Sequence, residues 1–249
     1  MPEIAECCRK GFKWNATPTG REGTLAQNQA YITGTNKNAA VLVIHDIYGW
    51  TFSNIRLLAD RFAEECNATV YVPDFFGGQV LPEDDIDETL KNPARKLIDI
   101  PGFFAANSKQ IRQPEIFSCA RALRAQHAKV GAVGYCFGGW ACFRLGAKEL
   151  HLVDCISVAH PSLLEKSEID NLSVPTQIIA PEHDYLLTPE LKEYCNTTIP
   201  RLGVAYQYDF YPGLEHGFAV RGDPEDVRTK VGLERAKNAV VMWFNEHLA

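Results

Sequence analysis

The 249-residue chain is 46% hydrophobic and 22% charged, with a net charge of −6 and a pI near 5.7. That composition supports a packed globular core and argues against disorder. The acidic balance, with Lys and Arg scattered and no basic stripe, argues against binding to nucleic acid or to an anionic membrane surface.

The N-terminal run MPEIAECCRKGFKW contains no apolar h-region, and no later stretch reaches the roughly 20 apolar residues of a spanning helix. A cytoplasmic protein is therefore expected. The 8 cysteines are irregularly spaced and lack a CxxC pair with His partners, so free thiols are expected, and neither a disulfide framework nor a zinc site. Cys7 and Cys8 read as two surface thiols.

Short apolar runs alternate with amphipathic ones, as in βα units around a mostly parallel sheet with helices on both faces. Strands are expected over Gln29–Gly34, Ala40–His45, Ala68–Val72, Lys129–Gly134, Val153–Ala159, Pro175–Ala180 and Ala205–Tyr211. AVLVIH and KVGAVG are apolar without alternation, as befits strands covered on two sides. Helices are expected over Phe52–Cys66, Gln113–His127, Phe137–Ala147, Thr188–Asn196 and Asp223–Leu248. Thr188-Pro189 supplies a cap and a first-turn proline. Asp223-Pro-Glu-Asp places acids where the helix dipole favours them. Phe75–Asn107 is the least regular stretch and suits a cap or lid. The whole is expected to be one α/β domain over 1–249, with an irregular N-terminal arm over 1–28.

Gly134-Tyr-Cys136-Phe-Gly138-Gly139 follows one expected strand and opens one expected helix. This is a nucleophile elbow with Cys in place of Ser. Its glycines admit close backbone approach, and the helix N-terminus favours a thiolate on Cys136. The Phe137 amide would serve as one oxyanion donor. Asp184, in PEHDY, and His216, in GLEHGF, follow later strands in the order nucleophile, acid, base. His216 would take the thiol proton and Asp184 would fix its tautomer. Ile47, after strand Ala40–His45, is the expected second oxyanion amide. Asp46 beside it either caps the loop or holds the thiol proton. His45 and His160 also end strands near this edge, whereas His127, His151 and His247 read as surface residues. Trp50, Phe75, Phe76, Phe103 and Phe104 read as core or pocket wall.

GYCFGG, HDIYGW, VPDFFGGQ, PEHD and EHGF together resemble the dienelactone hydrolase family, most closely its carboxymethylenebutenolidase-homologue branch. The resemblance implies an α/β-hydrolase fold and a Cys136–Asp184–His216 triad, with oxyanion amides from Ile47 and Phe137. It implies a resting-thiol modulator at Asp46, where bacterial members carry Glu. It also implies a substrate-gripping arginine at Arg221, with Lys109 or Arg112 as candidates for a second cation. The expected activity is hydrolysis of a small ester or lactone, anionic ones included, through a thioester acyl-enzyme. No metal or organic cofactor is expected, and the assembly is a monomer or small homo-oligomer. Two other readings are a catalytically inactive binding protein and a thiol redox sensor pairing Cys136 with Cys142.

Overall fold

The computed structural model describes residues 16–92, 94–95, 97–221 and 226–249. Cys7–Cys8 and the start of the Asp223–Leu248 helix lie outside the described residues.

Eight strands form one sheet in the order β1-β2-β4-β3-β5-β6-β7-β8. They are β1 (Arg21–Leu25), β2 (Asn28–Thr33), β3 (Ala39–Ile44), β4 (Thr69–Pro73), β5 (Lys129–Tyr135), β6 (Cys155–Ala159), β7 (Thr176–His183) and β8 (Tyr206–Glu215). Pairing is antiparallel from β1 to β2 and from β2 to β4, and parallel from there across to β8. Each of the seven strands expected from sequence is present, with ends shifted by a few residues. The eighth, β1, lies inside the stretch expected to be irregular. Its residues REGTL are mostly exposed, so the edge strand carries no apolar alternation to betray it.

The central strands are apolar because both their faces are covered. Every residue of β3 is buried, as is β5 beyond Lys129. The covering helices are α1 (Ser53–Glu65), α2 (Glu83–Lys91), α3 (Ile100–Ala106), α4 (Lys109–Gln126), α5 (Phe137–Leu145), α6 (Lys166–Asp170), α7 (Pro189–Thr198) and α8 (Val227–His247). Helix α1 packs with α8, and α4 packs with α5. Lys237 of α8, itself buried, fastens the first pair by donating to both carboxylate oxygens of Glu65 at 2.7 and 2.8 Å. This is the α/β-hydrolase fold expected from the sequence. No helix among the described residues is long and apolar enough to cross a membrane.

Helix α4 begins four residues before the expected Gln113, so that Pro114 falls inside it. The helix is held by buried Ile116, Phe117, Cys119, Ala120 and Leu123. Tertiary burial outweighs the lost backbone hydrogen bond. Helix α7 starts as expected, with the Thr188 hydroxyl accepting from the Leu191 amide at 3.3 Å. The expected irregular segment Phe75–Asn107 contains α2 and α3. His127, expected at the surface, is buried and lies 3.4 Å from the Tyr71 hydroxyl.

Helix α5 leaves the sheet directly from β5, and its first turn presses on β3. A Cβ on Gly138 would collide with the Ile44 carbonyl, which is backbone and cannot swing aside. Gly138→Ala is therefore expected to cost about 2 kcal/mol, the scale of an overpacked core. The reading is a lowered urea midpoint; an unchanged midpoint would mean that β3 does not constrain this turn.

Candidate active site

Strand register brings the site together. The β3·β5 ladder sets Ile44 opposite Gly134, so the loop after β3 (Asp46, Ile47) lies beside the turn after β5. The β5·β6 ladder sets Tyr135 opposite Ala159, so His160, Pro161 and Ser162 emerge beside Cys136. The β7·β8 ladder ends with His183 opposite Glu215, so the next residues, Asp184 and His216, leave side by side. The His216 amide completes that join by donating to the His183 carbonyl at 3.1 Å. All of these loops sit at the carboxyl ends of the parallel strands, the edge where open α/β sheets bind ligands.

Cys136 occupies the turn between β5 and α5 with φ +49° and ψ −108°. A non-glycine residue on this side of the Ramachandran map is strained by about 1–3 kcal/mol. Three backbone bonds hold it there. Its amide donates to the Ala159 carbonyl at 3.2 Å, and its carbonyl accepts from the amides of Gly139 and Ser162, each at 2.9 Å. A Cβ on Gly134 would meet the Gly138 carbonyl and approach the Cys142 sulfur to 2.8 Å.

His216 is 2% exposed. Its Nδ1 lies 3.0 Å from both Asp184 oxygens. Asp184 is itself aimed by the amides of Leu186 (2.8 Å) and Leu187 (3.0 Å), which donate to Oδ1. Burial works to raise the Asp184 pKa, but the His216 hydrogen bond, the imidazole charge and the two amides hold it below the usual carboxylate range. Burial works to lower the His216 pKa; negative charge on Cys136 and the Asp184 hydrogen bond overcome it and push the imidazole up to about 10. His216 Nε2 has no well-aligned hydrogen bond among the described residues, while the Cys136 sulfur is the neighbour with the strongest raising effect on the ring. The imidazole thus reaches Asp184 with one nitrogen and senses the sulfur from the other side.

The Ile47 amide forms no hydrogen bond with another described residue, because the turn is closed by Gly49 N donating to the Asp46 carbonyl at 3.1 Å. The Phe137 amide opens α5, where the first N–H groups have no intrahelical partner. Both amides therefore have capacity for an oxyanion.

Asp46 takes the first of the two roles expected of it, capping the loop. Its Oδ1 accepts from the Tyr48 amide at 3.0 Å and its Oδ2 lies 3.6 Å from Arg221 Nε, both side chains being buried. Among the described residues it makes no hydrogen bond to Cys136. Burial raises its pKa while Arg221 pulls it down. Arg221 also stacks over the Tyr48 ring, with its Cζ 4.7 Å from the centroid. The preceding segment is anchored by Asn54 of α1, which donates to the Val220 carbonyl at 2.9 Å. Arg221 is thus an internal ion-pair partner reaching the site from β8's side. Of the other two cations, Lys109 donates to Glu165 (2.8 Å) and Glu168 (2.9 Å), and Arg112 to Asn107 (2.8 Å) and Glu115 (2.9 Å). Both are tied to their own neighbours.

Two further residues of the site went unassigned in the sequence. Ser162 Oγ lies 3.6 Å from Cys136 Sγ. His160, fully buried with φ +40°, packs edge-on to His216 with centroids 4.9 Å apart. Burial, followed by the charges of His216 and Arg221, drives the His160 pKa well down, so its ring is neutral. The only sequence signal for either is their position just past a strand end. His45 is also neutral. It lies 2.9 Å from its neighbour's carbonyl at Asp46 through Nδ1 and accepts from the Phe75 amide at 3.1 Å through Nε2. An aromatic wall runs from α3 to the elbow through Phe103, Phe76 and Phe137, in edge contacts of 4.8 and 5.2 Å between centroids. Cys142 is fully buried behind Gly134, and burial raises its thiol pKa far above the ordinary value.

Comparison with known proteins agrees with this architecture. The family model for the dienelactone hydrolase family matches residues 28–248. The human carboxymethylenebutenolidase homolog is 32% identical, with 97% of this chain and 96% of that protein covered. The hydrolase tropI of Talaromyces stipitatus is 30% identical over the same shares of the two chains, 97% and 96%. Among solved structures, a dienelactone hydrolase-like promiscuous phosphotriesterase from metagenomic libraries superimposes with a TM-score of 0.69 at 19% identity, covering 92% of this chain and 98% of that one. The dienelactone hydrolase of Anabaena variabilis gives a TM-score of 0.59 at 15% identity, covering 93% and 98%. These two likenesses speak to the fold alone. With a family match across nearly its whole length, this chain belongs to the dienelactone hydrolase family and is a hydrolase of the carboxylic-ester class.

Proposed function

We propose that the protein hydrolyses a small ester or lactone through a thioester on Cys136, with His216 as general base and Asp184 as its orienting acid. The observation that carries this reading is the His216 imidazole. It is buried, gripped by Asp184 at 3.0 Å, and raised in proton affinity by charge on the Cys136 sulfur. A structural histidine without such partners would be driven neutral by burial, as His160 is.

His216 Nε2 holds the proton taken from the Cys136 thiol, as its raised proton affinity favours, and the sulfur attacks the substrate carbonyl carbon. The carbonyl oxygen becomes an oxyanion and accepts from the Ile47 and Phe137 amides. As the carbonyl re-forms, the C–O bond to the leaving alcohol breaks and His216 returns the proton to that oxygen. In a lactone the alcohol stays tethered to the acyl group. Water then attacks the thioester, giving a proton to His216, and the C–S bond breaks to release the acid and restore the sulfur. Asp184 stays ionised throughout and stabilises the imidazolium. Neither binding alone nor a Cys136–Cys142 redox pair accounts for the Asp184–His216 arrangement. Cys142 is also fully buried against Gly134.

Cys136→Ala is expected to lower turnover of small aryl esters and lactones by at least about 10³-fold, measured with purified protein. Retained turnover would end the thiol mechanism. Cys136→Ser should keep only a small fraction of activity, because the hydroxyl needs a stronger base.

The ring's proton also marks stability. The folded His216 pKa, about 10, lies above its ordinary value of 6.5. Its contribution is therefore whole below about pH 6.5 and is lost as pH rises towards 10. Asp184→Asn removes one raising partner and brings the folded value down. In the variant, the fall in urea midpoint over this window should be smaller and finish at lower pH. Parallel pH profiles in the two proteins would remove Asp184 as the partner of the charged ring.

A further inference from the structure

Among the described residues Asp46 accepts from the Tyr48 amide and faces Arg221 without a hydrogen bond to the Cys136 sulfur, whereas that sulfur lies within hydrogen-bond reach of the Ser162 hydroxyl. We propose that the Ser162 hydroxyl is the partner of the Cys136 sulfur in both of its protonation states, accepting from the thiol and donating to the thiolate, and so sets how readily the sulfur ionises. This rests on the reading of Cys136 as the nucleophile.

The contact is built into the fold. The sulfur and the Ser162 Oγ are 3.6 Å apart, within the reach of a hydrogen bond to sulfur, and Ser162 is only 4% exposed. Among the described residues its hydroxyl has no other hydrogen-bond partner. The Ser162 amide donates to the Cys136 carbonyl at 2.9 Å, so backbone and side chain of one residue grip backbone and side chain of the other. Between them Pro161 packs against the first turn of α5, at a point where a Cβ on Gly139 would come within 2.6 Å of the proline Cα. The loop cannot drift from the elbow without breaking both contacts.

A serine suits the role because its hydroxyl carries one donor hydrogen and two acceptor lone pairs and rotates to suit its partner. When the sulfur passes its proton to His216 Nε2, the Ser162 hydrogen turns toward the new negative charge. Ser162 gains and loses no proton. Other charged or titratable groups around the thiol are His216 backed by Asp184, neutral His160 on the loop of Ser162, and the Asp46–Arg221 pair after β3 and β8. The first turn of α5, Phe137-Gly-Gly-Trp140, adds amides and no ionisable side chain.

The test compares Ser162→Ala, and the isosteric pair Ser162→Thr and Ser162→Val, with the parent protein. Iodoacetamide labelling of Cys136 is followed against pH by peptide mass, alongside hydrolysis of a small aryl ester. Loss of the hydroxyl in the Ala and Val variants is expected to move the labelling midpoint up by about one pH unit, a roughly tenfold loss of thiolate on its acid side. The fall should appear in kcat with KM little changed, and Thr should restore the midpoint toward the parent. The Thr–Val comparison isolates the hydroxyl even if Ala packs poorly. Equal midpoints in Thr and Val, or a parent-like midpoint in Ala, would overturn the assignment. Failure of the nucleophile reading would show separately, as turnover surviving in Cys136→Ala.

Discussion

One constrained residue governs the arrangement: a cysteine held in left-handed backbone geometry where β5 gives way to α5. The conformation at φ +49° is costly on its own, and it persists because its neighbours leave no alternative. Ala159, Gly139 and Ser162 fix its backbone by hydrogen bonds. Gly134 and Gly138 remove the side chains that would push the turn apart. The strain lifts the sulfur out of the ladder and over the N-terminus of a helix, where amide dipoles favour negative charge. The other groups of the site are then placed by register, since each sits one to three residues beyond the end of a strand near β5.

Three buried imidazoles at this edge show how partners decide protonation. For His45, burial lowers the pKa and outweighs the Asp46 carbonyl and the carboxylates of Asp74 and Asp46, which pull it up. His160 faces a potential cation in His216 and a fixed one in Arg221, which reinforces the effect of burial. His216 has a carboxylate on one nitrogen and the cysteine sulfur on its other side, and only this ring rises in proton affinity. Burial is common to all three, so desolvation cannot explain the difference. The neutrality of His160 has its own consequence: a second cation 4.9 Å away would oppose the imidazolium that Asp184 supports.

Much of this was legible in the sequence, for identifiable reasons. Strands such as AVLVIH declare themselves because both faces are buried, and GYCFGG because the turn tolerates so few residue types at its glycines. The positions of Asp184 and His216 followed from their places after strands. Less legible was what depends on pairing between distant segments. The sequence left Asp46 open between capping its loop and holding the thiol proton, and its ion-pair partner, Arg221, arrives from the loop after β8. Ser162 carries no motif, and its role comes from the β5·β6 register. Polar β1 has no apolar alternation, the helices α2, α3 and α6 are only 9, 7 and 5 residues long, too short for a periodic pattern to declare itself, and α4 hid its start behind Pro114.

The separation between these two kinds of feature bears on how such a site can change its substrate. Cys136, Asp184 and His216 stand just past the ends of β5, β7 and β8, strands whose places are set by ladders deep in the sheet. The aromatic wall against the elbow comes instead from Phe76 and Phe103, carried by the segment between β4 and α4 that has the least regular sequence. That segment meets the elbow through ring edges, contacts that tolerate exchange of side-chain shape more readily than a hydrogen-bonded register does. Substitution there would reshape the wall beside Phe137 while leaving Cys136, His216 and Asp184 where the ladders put them. A fold arranged in this way can keep one ester-cleaving geometry and vary what is brought to it.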